Sequence, residues 1–239
     1  MDFLGGGFIL KRKYFWLKVI PIFILTVTLQ LTVFALNASN ILNEAINNIS
    51  KLETIALELN VEVAAEGLEQ KMVMVLQSHL KEQVGRLEFK SPKEFSGQII
   101  IVDKPKDQFI NYYPTGQAIR MPLSQSSQSN SMNIDISKLM NLNTSDFANL
   151  DPNRYFLQAE ETVTNGTNAY LITVTDTKKE FGSQKVWLAK ADKFPLAMEA
   201  FDPTGKKVMS LVLAKVEKNK KLDLKKLRTL PSGAVIFDM

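Results

Sequence analysis

The 239-residue chain has no cysteine, a single histidine, and almost no net charge beyond its first 35 residues. Each scarcity removes a class of function. Without cysteine there are no disulfides, no thiolate nucleophile and no cysteine metal site. The lipid-bearing cysteine of a bacterial lipoprotein is missing for the same reason. His79 alone cannot build a histidine-based triad or a histidine metal cluster; beside Gln77 and Ser78 in a strand, it reads as solvent-facing. The formal charge of +4 is mostly local, because Lys11, Arg12, Lys13 and Lys18 outweigh Asp2 and leave 25 basic and 24 acidic residues beyond residue 35. No basic stripe remains to follow a phosphate backbone, so nucleic acid is not an expected partner. The Lys-rich run from Lys215 to Lys226 is the exception. It reads first as a solvated edge strand and turn, and second as a contact for anionic head groups.

The carboxylates are as uninformative as the lone histidine. Glu58, Glu62, Glu88, Glu160 and Glu199 sit at alternating strand positions that face solvent in a half-buried sheet. No acid pair is set up for catalysis. The sequence therefore predicts no enzyme, no metal and no cofactor.

What the chain does have is an N-terminal apolar run and a long series of strands. Residues 19–36 (VIPIFILTVTLQLTVFAL) follow a basic cluster and read as an export signal ending near residue 35. An uncleaved anchor is the competing reading, since 18 residues just reach across a bilayer. Export places the protein outside the cytoplasmic membrane, periplasmic or otherwise extracytoplasmic. Residues 36–239 then form one domain.

Ser39 or Asn40 can cap a helix to about Leu52, with Ile41, Leu42, Ala45, Ile46, Ile49 and Leu52 on one face. The period then changes from 3.6 to 2 in TIALELNVEV, a half-buried strand. Five more strands follow (KMVMVLQSHLK, GRLEFKS, GQIIIVD, QFINYYP, QAIRMPL). Residues 124–131 (SQSSQSNS) are polar and low in complexity, and predict a mobile loop. A helical stretch from about Ile134 to Leu150 carries Leu139, Met140, Leu142 and Phe147 as a prospective lid. From Arg154 to Asn219 the chain is five strands stopped by Asn-Gly, Asp-Pro and Lys/Asp-rich turns, an antiparallel meander. Ten or eleven strands cannot stay flat. The expected fold is α+β: a strongly bent antiparallel half-barrel with an N-terminal helix and a short helical lid on its concave face.

The apolar candidates for that face are Leu57, Leu59 and Val61; Met72, Met74 and Leu76; Ile99 and Ile101; and Trp187, Leu196, Met198 and Leu211. Methionine fills irregular space and adapts to varied ligands. These residues form either an ordinary core under the first helix or the wall of a pocket for one small ligand.

Four stretches resemble the LolA/LolB-like periplasmic lipoprotein-carrier superfamily. They are ILNEAINNISKLETIALELNVEV, GRLEFKSPKEFSGQIIIVDKPKDQFINYYPTGQAIRMPL, ADKFPLAMEAFDPTG and LRTLPSGAVIFDM. The resemblance implies an open β-barrel with a lid over an apolar cavity for acyl chains of lipoproteins or lipids. It also implies membrane-protein donors or acceptors, a monomer, and Arg86 as the candidate for a lid-holding arginine. The strand GRLEFKS lacks the tryptophan of the proteobacterial carriers, which argues against handover to a dedicated outer-membrane receptor. A membrane-tethered interaction or sensor domain with the same fold is the alternative.

Overall fold

The computed structural model describes residues 36–65, 68–126, 153–178, 180 and 182–239. Asn37–Met239 is a compact unit of its own. The export or anchor segment and the lid residues Leu139, Met140, Leu142 and Phe147 lie outside the described residues. Among the described residues, no helix is long and apolar enough to cross a membrane.

The unit opens with helix α1 (Ala38–Ser50), whose N-cap is Asn37: its Oδ1 accepts the Asn40 N–H at 3.0 Å. The helix thus starts one to two residues before the predicted cap, because a free side-chain oxygen there satisfies an otherwise unpaired first-turn N–H. Ala38, Ile41, Leu42, Ala45 and Ile49 are its buried face.

Twelve strands follow: β1 (Thr54–Ala65), β2 (Leu68–His79), β3 (Val84–Ser91), β4 (Ile99–Asp103), β5 (Gln108–Tyr112), β6 (Gln117–Met121), β7 (Tyr155–Thr164), β8 (Thr167–Asp176), β9 (Ser183–Ala189), β10 (Pro195–Phe201), β11 (Lys207–Lys218) and β12 (Val235–Asp238). They make one curved, unclosed sheet in the order β12-β6-β5-β4-β3-β2-β1-β11-β10-β9-β8-β7. Among the described residues, all pairings are antiparallel except β12 with β6. The expected half-barrel is therefore present, with β12 as one strand more than the sequence signalled on its own. The β7–β8 turn is Asn165-Gly166 with both φ values positive (48° and 75°), the two-residue hairpin geometry that this pair favours.

Two short helices complete the described residues: α2 (Leu123–Ser126) and α3 (Leu224–Arg228). α2 occupies the start of the expected mobile loop; Ser126 is buried there and its hydroxyl donates to the Leu123 carbonyl at 2.7 Å. Helix α3 caps through Asp223, which accepts the Lys225 N–H at 2.8 Å, and buries Leu227.

The main core lies on the sheet face that carries α1, and because a bent sheet encloses its largest buried cluster on its inner side, we assign that face as the concave one. It joins Ile49 of α1 to Leu57, Leu59, Met74, Leu76, Phe89, Ile100 and Phe109, among others. A second, smaller cluster lies on the opposite face: Ile99, Ile101, Ile110, Tyr112 and Ala118, with Leu230 and Ala234 of the C-terminal segment packed on it. All five residues of β4 are buried, since both of its faces are covered.

Candidate functional site

The concave face is defined by cross-strand register. Residues opposite each other in a sheet share a face, and one such row runs across seven strands. It is Met72 (β2), Val61 (β1), Leu211 (β11), Met198 (β10), Val186 (β9), Ile172 (β8) and Ala159 (β7). No polar side chain interrupts it. A parallel row holds Val63, Met209, Ala200, Gln184, Val174 and Leu157.

The two ends of the rows differ in exposure. Met72 and Val61 are only 2–3% exposed, whereas Met198, Ala159, Met209, Ala200 and Leu157 are half-buried. Between them Leu211, Val186, Ile172 and Val174 are buried, so the apolar surface that keeps contact with solvent is confined to β7, β10 and Met209 of β11. Such a surface binds by area. Covering apolar surface of this kind is favourable by about 0.8 kcal/mol per buried methylene.

Seven of the predicted wall residues meet in one cluster: Leu57, Leu59, Val61, Met72, Met74, Leu76 and Leu211. Met198 joins them through its register with Leu211. Leu196 is half-buried next to a register shift between Pro195 and Ala197. Three others are corrected by the structure. Ile99 and Ile101 belong to the second cluster under the C-terminal segment, and it is Ile100 and Val102 that face the concave core. Trp187 alternates with Val186, so it points to the opposite face, in register with Leu171 and Ala197. Val186, Ile172 and Met209 are concave residues that the sequence reading missed.

Arg86 is also elsewhere. It is the register partner of Ile101, on the convex face, and its Nη1 donates to the Thr229 carbonyl at 2.8 Å. It holds the C-terminal segment, not a concave lid. Burial pulls its pKa below the ordinary arginine value, with Glu88 opposing that shift. The same segment is fastened by Arg228, whose Nε and Nη2 donate to Asp103 at 2.7 and 3.2 Å. Hydrogen bonding to Asp103 raises the Arg228 pKa.

Polar groups gather at the rim, where α1 meets the β9–β10 turn. Asn48 donates to the Asp192 carbonyl at 2.8 Å, and Lys193 reaches Glu44 at 3.6 Å. Lys190 pairs with Glu161 at 2.6 Å, and both Lys190 and Lys193 lie over the Tyr170 ring. Lys218 bonds the Asp192 carboxylate and sits 4.0 Å from the Phe194 ring centroid. Burial alone would raise the Asp192 pKa, but the Lys218 bond, the Phe194 N–H and the Lys218 charge outweigh it and hold the carboxyl below its ordinary value. His79 is half-buried and its Nδ1 accepts the Glu82 N–H at 3.3 Å. Among the described residues, no three His, Cys, Asp or Glu side chains gather to hold a metal.

With this geometry in hand, comparison separates sequence from shape. No protein-family model and no curated protein matches the sequence. Solved structures do match. An uncharacterized conserved protein from Thermus thermophilus superposes with a TM-score of 0.58 at 16% identity, over 85% of this chain and 100% of that one. A chain of the MucA/MucB complex from Pseudomonas aeruginosa matches with a TM-score of 0.54 at 12% identity, over 81% of this chain and 61% of its own length. A LolA superfamily protein from Nitrosomonas europaea matches at 16% identity over 82% of this chain and 99% of that one; its TM-score of 0.38 is too low to compare residues. Identities of this size speak to fold alone. The fold shared with the first two of these structures is an open, strongly curved, mostly antiparallel sheet.

Proposed function

We propose that the protein is an exported binder or carrier of lipids or lipidated proteins, with acyl chains lying on the concave face of β7–β11. The observation that carries this reading is the uninterrupted apolar row from Met72 to Ala159, half-buried at Met198 and Ala159. Methionines at Met72, Met74, Met198 and Met209 suit cargo of varied shape. The reading contains no catalytic step, needs no cofactor, and has the chain acting as a monomer outside the cytoplasmic membrane. A membrane-protein donor or acceptor would load or receive the cargo.

Native mass spectrometry and lipid extraction of the purified protein test it. Bound lipid is expected, and the delipidated protein is expected to take up a fluorescent fatty acid. Met198→Glu would place a charge in the row and should lower that uptake at least tenfold, since burying an unpaired carboxylate costs several kcal/mol. A delipidated protein that takes up nothing sinks the proposal.

A second reading, an envelope interaction or sensor domain without cargo, draws on one observation: the same fold occurs in MucB, solved in complex with MucA. That reading expects an uncleaved N-terminus, which intact-mass measurement of the membrane fraction would detect, together with no lipid uptake.

A further inference from the structure

One end of the sheet combines two features that the cargo site does not use. The first is a group of lysines. Lys81 lies in the β2–β3 turn, Lys104 and Lys106 in a 3-10 turn after β4, and Lys221, Lys225 and Lys226 before and on α3; all six are exposed. Specific bonds bring them together. The Arg228–Asp103 pair sets α3 beside Lys104, and the Lys104 N–H donates to the Gln83 carbonyl at 3.1 Å. Among the described residues only Lys106 reaches a carboxylate, Asp103 at 3.8 Å, and Arg228 already holds that group. The other acids of this end include Glu82, Asp107, Asp223 and, in β12 itself, Asp238, which is neutralised by Arg120 at 2.5 Å. Asp223 caps α3, and Asp107 accepts the Leu123 N–H at 3.3 Å.

The second feature is β12. It pairs with β6 in parallel, so it runs toward the same end as the last residue of β4. It is exposed on both faces. Val235 is 55% exposed, Ile236 42%, Phe237 51% and the following Met239 74%. A strand apolar on both faces normally belongs inside a sheet covered on both sides, and an exposed apolar edge marks an interaction site.

We propose that this end of the molecule docks on an anionic lipid surface, with β12 entering the interface and the lysines meeting the head groups. Unpaired ammonium groups select a negative partner, and each contributes to binding at an anionic membrane. Protruding aliphatic and aromatic residues beside lysines suit a membrane boundary. Exposed on both sides of one edge strand, they match a fluid surface better than the single complementary patch that a folded partner requires. This inference is independent of what the concave face carries.

The cysteine-free chain allows a local test. Ile236→Cys in the full chain is labelled with an environment-sensitive dye and mixed with phosphatidylglycerol or phosphatidylcholine vesicles. Phe156→Cys, on the opposite edge strand, is the control. The expected result is a blue shift at position 236 with phosphatidylglycerol only, reversed by high salt and absent at position 156. Lys225→Gln with Lys226→Gln should lower the docking equilibrium roughly 30-fold, about fivefold per lysine. Equal shifts with both vesicle types, equal shifts at both positions, or no shift at position 236 would overturn the proposal. A shift without vesicles that grows with protein concentration would assign the edge to a second copy, and one produced equally by polyglutamate would assign the lysines to an acidic protein; either result overturns the lipid assignment. The readout is local, so insertion of residues 1–36 cannot produce the expected pattern.

Discussion

The half of the sheet from β2 to β5 and the half from β7 to β10 are built from similar residues but solve different problems. In the first, Leu76, Leu87, Phe89, Ile100 and Phe109 are all 1% exposed or less. The C-terminal segment then covers the back of β3 and β4 through Leu227, Arg228 and Leu230. In the second, β10 is half-buried at every one of its seven residues and the edge strand β7 buries none of its ten, while Ile172 of β8 and Val186 and Leu188 of β9 between them are buried. Covered strands supply the stability that lets a neighbouring apolar surface stay partly wet. Binding surfaces draw on the less stable part of a fold.

The largest expected effect breaks this contrast directly. Ile100→Ala should destabilise the protein by about 2–5 kcal/mol, because it leaves a cavity in a strand covered on both faces. Met198→Ala should cost about 1 kcal/mol, near the centre of the range for point mutants, yet reduce lipid uptake more than Ile100→Ala does. Urea unfolding and fatty-acid uptake of the two variants, taken together, check the comparison. Equal stability losses would show that the two halves are equally packed.

Next in size is the fastening of the C-terminal segment. Arg228→Ala leaves the Asp103 carboxylate, only 3% exposed, without its main partner. Removing one member of a buried pair costs about 3 kcal/mol, and amide exchange should rise across residues 224–238 before it rises in β8. The exposed Arg120–Asp238 pair, at 2.5 Å, offers the control. Asp238→Asn should leave the urea midpoint essentially unchanged, since solvent screens a surface ion pair.

Trp187→Ala sharpens the assignment of faces. Because Trp187 lies on the convex side over Leu171 and Ala197, its loss should lower stability by about 3 kcal/mol or less, and uptake normalised to folded protein should not change. A loss of uptake matching that of Met198→Glu would return Trp187 to the concave wall.

These faces also show what the residues alone could reveal. β1 alternates strictly, so Leu57, Leu59 and Val61 could be assigned to one face by period alone, and they share one. β4 reads Ile-Ile-Ile-Val, and a run without alternation carries no information about which residue faces which way. Only the pairing of Ile100 with Leu87, and of Ile101 with Arg86, decides it. Trp187 sits between Val186 and Leu188 and is ambiguous for the same reason. The partner of Arg86 is 143 residues away in sequence, at Thr229, so no local signal could identify it. The number of strands and their order through the meander were legible because turn residues mark each strand end. The extent of α1 was misread at its cap, where Asn37, Ser39 and Asn40 are all capping residues and only the Asn37 geometry distinguishes them.

The smallest expected effect concerns the rim that ties α1 to the half-exposed side. The Asp192 carboxyl titrates below its ordinary value because the contacts from Lys218 and the Phe194 N–H outweigh its burial. A depressed carboxyl contributes stability that is fully present above the unfolded value, about 3.9, and is lost as pH falls through the lower folded value. Both partners are partly exposed, so solvent screening keeps the contribution below about 1 kcal/mol. Asp192→Asn should therefore flatten the stability profile slightly below pH 4 and leave it unchanged in shape near neutrality. Since the Asp192 main-chain carbonyl still accepts from Asn48, α1 should stay docked in that variant. If chemical denaturation between pH 3 and 5 gave parallel curves for the two proteins, the Lys218 contact would be contributing nothing, and the rim would rest on the Asn48 bond, the Lys193–Glu44 pair and the buried face of α1.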